Sequence, residues 1–289
     1  MMTEENPKLN REFLGKEYRV ESQFVKPESI RKYALATNDE NPVYSAPDSE
    51  LVPPPIYPVV FLPGILSQLG DDSEGMDLNI LRAVHAEHKM KWRSALSPGD
   101  EIFTTAKIVN IETRGVNEIL DFEIYCRRDD DIVVQMDYRI LVRGKKTDGG
   151  KKAPPEAQAP ERGKLLTKMS VKVTADQGVR YAEASGDQNP IHQSDEIARS
   201  VGLPSAILHG LCTMAIASQA IVDGLLDGDP TRLKSMSNRF SSPVLLNQTI
   251  TTEVYDGGVN DEGLQVVHFE TTDEKGVSVL TQGTASFSI

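Results

Sequence analysis

The sequence predicts an α+β chain made of two fused units, each an antiparallel sheet wrapped around one long buried helix. Three observations predict it. Residues 31–44 (RKYALATNDENPVY) and 179–192 (VRYAEASGDQNPIH) are identical at six of fourteen positions, at an offset of 148 in a chain of 289 residues. Trp92 and Phe240 keep that offset, each after a basic residue, Lys91 and Arg239. Each half also carries one stretch free of Asp, Glu, Lys and Arg, at 51–70 and 205–222, followed by runs rich in β-branched residues.

The elements come in one order in both halves. A short polar helix is expected first, at 27–37 and again at 175–185, then a loop, then the buried helix. The charge-free stretches read as core helices rather than membrane spans. The first holds five prolines, which would break a spanning helix, and the second is interrupted by His209, Gly210, Ser218 and Gln219. Partly alternating β-branched runs follow at 101–113, 117–127 and 132–143, and in the second half at 249–256, 264–272 and 277–289. Residues 144–163 hold four glycines, three prolines and no large apolar residue, the composition of a solvated linker. The expected units are therefore 1–143 and 164–289, with 144–163 between them, and their sheets can pair edge to edge to hide exposed edges.

Composition narrows the function. Hydrophobic residues make up 39% and charged residues 26%, enough to bury a core. A formal charge of −12 argues against a nucleic-acid partner, whose phosphates need a basic face, and against anionic membrane surfaces. Two cysteines, Cys126 and Cys212, are too few for a disulfide framework or a cysteine zinc site. The start, Met1-Met2-Thr3-Glu4-Glu5, lacks the basic and apolar regions of a signal peptide, so the expected compartment is the cytoplasm.

The two halves differ where chemistry would happen. In Ser185-Gly186-Asp187-Gln188-Asn189-Pro190-Ile191-His192, Gly186 and Pro190 mark an irregular loop. Ser194-Asp195-Glu196 then reads as a helix start. Asp187 and His192 would converge there, a carboxylate and an imidazole able to hold a water, take its proton and supply one elsewhere. Alone, Asp-x4-His reads as an Asx turn beside a surface histidine. The surrounding glycine, asparagine and proline weigh against that. Seventeen residues after His192, His209-Gly210 heads the buried helix. A glycine there exposes N–H groups with no intrahelical partner, which favour developing negative charge; close packing would also require a glycine. Ser218 shares a helical stripe with Leu211, Met214, Ala215 and Val222, and either reaches the site or bonds back one turn. In the first half Asp39 remains, but Tyr44 replaces the histidine and no His-Gly heads the helix. One active site is expected, in the second half, with the first as support or part of the substrate groove.

The segment YAEASGDQNPIHQSDEIARSVGLPSAILHG resembles the signature of MaoC-like (R)-specific enoyl-CoA hydratases and dehydratases, most densely at Gly186-Asp187-x-Asn189-Pro190-x-His192. The duplication extends the resemblance to double-hotdog members. The resemblance implies a tandem hotdog fold and reversible hydration of trans-2-enoyl thioesters. It implies Asp187 and His192 as the catalytic pair, Asn189 as a supporting amide, Gly210 as an oxyanion-binding N–H and Ser218 as a residue lining the site. It also implies no cofactor and no metal, since the CoA or carrier-protein arm belongs to the acyl-thioester substrate, and it leaves homodimerisation open. Leu211 departs from the methionine that many members carry after His-Gly, and the proline-rich stretch from Val52 to Pro58 is expected to reshape the acyl pocket.

Other readings stand beside this one. Hotdog folds also host thioesterases, and the chain could be a non-catalytic subunit of an acyl-processing assembly. His85 and His88 suggest a metal pair if helical, but the surrounding VHAEHKMKWR reads better as a strand, with no further ligand cluster. Lys89, Lys91, Arg93 and Arg239 read equally as contacts for CoA phosphates or as solvated strand ends.

Overall fold

A computed structural model describes residues 6–144 and 163–289. The first five residues and 145–162, most of the expected linker, lie outside the described residues. The first half runs β1 (Glu17–Phe24), α1 (Pro27–Ala36), α2 (Pro63–Asp71), α3 (Ser73–Met76), β2 (Ala83–Trp92), β3 (Glu101–Arg114), β4 (Asn117–Arg128) and β5 (Asp131–Val142). The second runs β6 (Leu165–Lys172), α4 (Gln177–Ser185), α5 (Asp195–Ser200), α6 (Gly210–Leu225), β7 (Leu233–Phe240), β8 (Thr249–Val259), β9 (Gln265–Asp273) and β10 (Ser278–Phe287).

The ten strands form one antiparallel sheet in the order β1-β3-β4-β5-β2-β7-β10-β9-β8-β6. That order is its own mirror image when each strand is replaced by its repeat. The seam is the β2–β7 pair, in the register Glu87↔Arg239 to Lys91↔Ser235. Lys89 faces Ser237 in this register, and these two are themselves repeats, 148 residues apart. A pseudo-two-fold axis therefore passes through the seam. The duplicated tyrosines lie on the same axis: the Tyr33 and Tyr181 hydroxyls are 3.2 Å apart and their rings 5.6 Å. Pairing β2 with β7 removes two sheet edges. The outer edges β1 and β6 carry charged residues (Glu17, Arg19, Glu21; Lys168, Lys172), which discourage further pairing.

Helix α6 has the long buried form expected. Every residue from Cys212 to Val222 is buried, as in a helix that the sheet curls around. The first half differs. Its charge-free stretch forms a 3-10 turn (Tyr57–Phe61) and the nine-residue α2, not one long helix. Pro53, Pro54, Pro55, Pro58 and Pro63 are the reason: none can donate a backbone hydrogen bond, and each ring crowds the turn before it. Side chains staple the halves together away from the seam. The Gln177 amide donates to the Ala36 carbonyl (3.1 Å) and the Gln219 amide to the Thr37 carbonyl (2.8 Å), both in the interior. Among the described residues no helix is long and apolar enough to cross a membrane.

Candidate active site

Helix α4 ends on Gly186, whose φ of +81° puts it in the left-handed region that suits glycine at a helix C-terminus. From there the loop is built by side-chain caps. Asp187 Oδ1 accepts the Asn189 N–H (3.1 Å), and Asn189 Oδ1 accepts the Ile191 N–H (3.3 Å), capping the short turn Pro190–His192. The Gln188 amide donates back to the Ala182 carbonyl at 2.7 Å. The turn carries the His192 imidazole inward until it is only 8% exposed. It also lies flat on α4, where a Cβ at Gly178 would sit 2.1 Å from the His192 carbonyl oxygen. Ser194 caps α5 through the Ile197 N–H (3.3 Å), and Asp195 accepts the Ala206 N–H (2.8 Å). That contact brings the following segment back over the loop, where the Ile207 carbonyl accepts from His192 Nδ1 at 2.8 Å.

This bond fixes the tautomer. With Nδ1–H donated to Ile207, the Nε2 lone pair of His192 is free to accept a proton. Burial lowers the His192 pKa below the ordinary imidazole value, and the Asp187 carboxylate pushes back in the other direction. His209 completes the cluster. Its ring stacks on His192 (3.7 Å, 28°), and its Nε2 donates to the Asp187 backbone carbonyl at 3.1 Å. Burial, with His192 adding to it, drives its pKa down to about 2, so it serves as a neutral brace. Metal-ligating atoms of Asp187, His192 and His209 all lie within 4.8 Å of one another. Tetrahedral zinc would need donors about 3.4 Å apart with converging lone pairs, whereas these imidazoles present stacked faces.

Gly210 is the first residue of α6, so its N–H has no partner within the helix and sits at the positive end of the helix dipole. The glycine also lets Phe240 pack closely, because a Cβ there would be 3.1 Å from its ring. Asn189 is exposed and works as the loop's cap. Ser218 is not brought to the cluster. Its hydroxyl donates to the Ala215 carbonyl at 2.7 Å, and helical rise puts it about 12 Å along α6 from Gly210.

The first half supplies the floor. Tyr138 of β5 is close enough to Asp187 that, after burial, the carboxylate raises its hydroxyl pKa. His85 of β2 stacks on Tyr138 (3.7 Å, 6°) and lies 4.6 Å from Phe240. In the sequence His85 and His88 stand out only as a metal pair, and no motif marks Tyr138 or the part played by His209. The one signal for His209 was its repeat position, which holds Phe61. Lys89, Lys91 and Arg239 alternate along their strands with buried His88, Met90 and Asn238, and so lie on the outer face of the sheet, away from the cluster.

The repeat of this site in the first half is filled. Phe61 and Leu62 stand where His209 and Gly210 would, both buried, and the Trp92 indole donates to the Pro55 carbonyl at 3.0 Å. Asp39 is buried behind them. Burial raises its pKa to about 7, offset in part by the Asn41 N–H and reinforced by Asp223.

Different family models match the two halves. Residues 156–278 match the MaoC-like domain, and residues 12–136 match the dehydratase-domain region of FAS1-like proteins. The chain is 30% identical over 186 residues to the enoyl-CoA hydratase ChsH3 of Mycobacterium tuberculosis, covering 64% of each, a little under two thirds of that relative. It is 28% identical over 237 residues to the probable enoyl-CoA hydratase 2 of Dictyostelium discoideum, covering 78% of each. The MaoC-like dehydratase of Phytophthora capsici has the same fold, with a TM-score of 0.83 at 24% identity over 97% of this chain and 98% of that one. Duplicated sheet, buried second-half helix and Asp-x-Asn-Pro-x-His loop go together with these matches: the second half carries a MaoC-like domain, and the whole chain has the double-hotdog fold.

Proposed function

We propose that the chain catalyses the reversible hydration of trans-2-enoyl thioesters to (R)-3-hydroxyacyl thioesters. The observation that carries this is the convergence of Asp187 with a His192 whose Nδ1–H is tied to Ile207, beside the free N-terminus of α6. The Gly210 N–H donates a hydrogen bond to the thioester carbonyl and draws electron density from the β-carbon. A water held between the Asp187 carboxylate and His192 Nε2 adds its oxygen to that carbon. His192 takes the water's proton, the C=C pair moves onto the α-carbon and carbonyl, and the proton returns to the α-carbon on the same face. The adjacent Asp187 carboxylate stabilises the imidazolium while it exists, as its effect on the His192 pKa indicates. Asn189 holds the loop, and this reading gives Ser218 no part in the bond changes. No step calls for a metal or redox cofactor. The reading takes the acyl thioester as partner, on CoA or a carrier protein, with the cytoplasm as the expected compartment and homodimerisation left open.

The test is loss of enoyl-thioester absorbance on a panel of trans-2-enoyl-CoA substrates. Wild type should form the (R)-3-hydroxy product, and Asp187→Asn and His192→Ala should each lose about a thousandfold, within the range for a lost proton-transfer group. Release of free thiol by wild type would replace hydration with thioester hydrolysis.

A further inference from the structure

The pseudo-two-fold axis supplies a comparison inside the molecule. The cross-strand pair His88–Asn238 maps, through the offset of 148, onto the pair Met236–Met90 on the other side of the axis. Both pairs are buried on the inner face of the seam. The methionines lie on the side of the filled site, near Trp92. The polar pair lies on the side of Asp187 and His192: the His88 ring is 5.5 Å from Tyr138 and 5.1 Å from His85, both edge-on. His85 and Tyr138 continue the contrast, since their repeat positions hold Leu233 and Ser286. Around the seam, the floor of the filled site is lined by methionines and that of the open site by an imidazole and an amide.

The polar pair is also unsatisfied. His88 is 1% exposed and Asn238 4%, and Nδ1 and Nε2 of the one and Oδ1 and Nδ2 of the other have no partner among the described residues. Side chains directly opposite on neighbouring strands are close enough to bond each other, yet these do not. A buried polar group left without a partner is costly, so a fold that tolerates methionine at the repeat positions has a cheaper alternative. Burial lowers the His88 pKa to about 3, leaving a neutral ring with one N–H and one lone pair. Beside an amide, that makes a set of donors and acceptors with no net charge, suited to an uncharged oxygen or amide group rather than to hydrocarbon or a carboxylate.

We propose that His88 and Asn238 form a specificity subsite of the active site, receiving a neutral hydrogen-bonding group of the bound acyl thioester. This rests on the acyl-thioester reading above. Two parts of such a substrate carry that chemistry: a hydroxyl or keto oxygen on the acyl chain, or the pantetheine amide farther from the thioester, which an N-acetylcysteamine thioester lacks. A first half that had lost its own catalytic groups would then still contribute a recognition residue, His88, to the site of the second.

The test uses the full chain and the substitutions His88→Met and Asn238→Met, which copy the residues at the repeat positions. Wild type and variants are assayed on a plain trans-2-enoyl-CoA, on the same chain bearing a distal hydroxyl or keto group, and on the plain chain as its N-acetylcysteamine thioester, which has a shortened arm. If the acyl oxygen is bound, the variants lose at least tenfold in kcat/KM on the oxygenated chain and keep their activity on the plain one. If the arm is bound, the variants lose at least tenfold on both CoA thioesters and nothing on the N-acetylcysteamine thioester. Equal change on all three substrates, including none, overturns the proposal and leaves the pair a structural feature. A Tm in the variants no lower than that of wild type separates lost recognition from lost folding. Wild type inert on the whole panel would refute the acyl-thioester reading itself, an outcome distinct from active variants that fail to discriminate.

Discussion

The decisive residue-scale fact is the bond from His192 Nδ1–H to the Ile207 carbonyl, because it decides which nitrogen can do chemistry. Burial then holds the ring neutral by lowering its pKa, while Asp187 opposes that shift. The sign gives a prediction. A base with a lowered pKa stays competent as pH falls through the ordinary imidazole value of about 6.5 and is lost only below it. The acid limb of kcat/KM for hydration should therefore lie below pH 6.5. Nitrogen chemical shifts should report His192 as the neutral Nδ1–H tautomer at pH 7. A limb at or above pH 6.5 would mean that another group titrates. At this scale Asp187, Asn189, His192 and Gly210 were legible because turn chemistry and helix capping are local. His209 was not, because its part depends on the stacking and carbonyl contact that the fold brings together.

Among the elements, α4 and its loop set the tolerance of the site. Gly178 sits in the first turn of α4, where alanine would ordinarily stabilise a helix by up to about 1 kcal/mol. Here the added Cβ would stand 2.1 Å from the His192 carbonyl oxygen, so the turn carrying the imidazole must move. Gly178→Ala should therefore destabilise by roughly 1–3 kcal/mol, the usual cost of overpacking. It should also lower kcat/KM by more than tenfold, read by thermal melting and the enoyl-thioester assay together. Strands were legible where β-branched runs alternate, as in β3 (Glu101–Arg114) against the expected 101–113 and β4 (Asn117–Arg128) against 117–127. Edge strands β1 and β6 gave no such signal, because an edge keeps charged side chains and pairs on one side only. The single helix expected at 51–70 was broken by its prolines into a 3-10 turn and α2.

Across the whole molecule, the filled first-half site ties the two halves together. Asp39 lies under it, and the Asn41 amide crosses to Asp223 (3.0 Å) and the Gly228 carbonyl (2.9 Å) of the second half. Burial raises the Asp39 pKa to about 7, with Asp223 contributing, so the folded state binds a proton that the unfolded chain has released. The stability this gives is complete below the unfolded value near 4 and is lost as pH rises towards 7, on the order of 4 kcal/mol. Asp39→Asn keeps the acceptor for the Asn41 N–H and removes the charge. Its Tm should exceed that of wild type by several degrees at pH 8 and match it at pH 4, and a constant difference across that range would contradict the assignment. What the sequence by itself determined was the duplication, the α+β class and the loop from Gly186 to His192, because internal repeats, hydrophobic patterning and turn residues act over short spans of chain. Only the tertiary structure decided that β2 meets β7 about a pseudo-two-fold axis, that His209 braces His192, and that the first half lends His85 and Tyr138 to the floor of the second half's site. Those contacts join residues far apart in the chain, and no local pattern encodes them: they exist because each sheet must cover its open edge, and the partner that covers it is the other copy of the same unit.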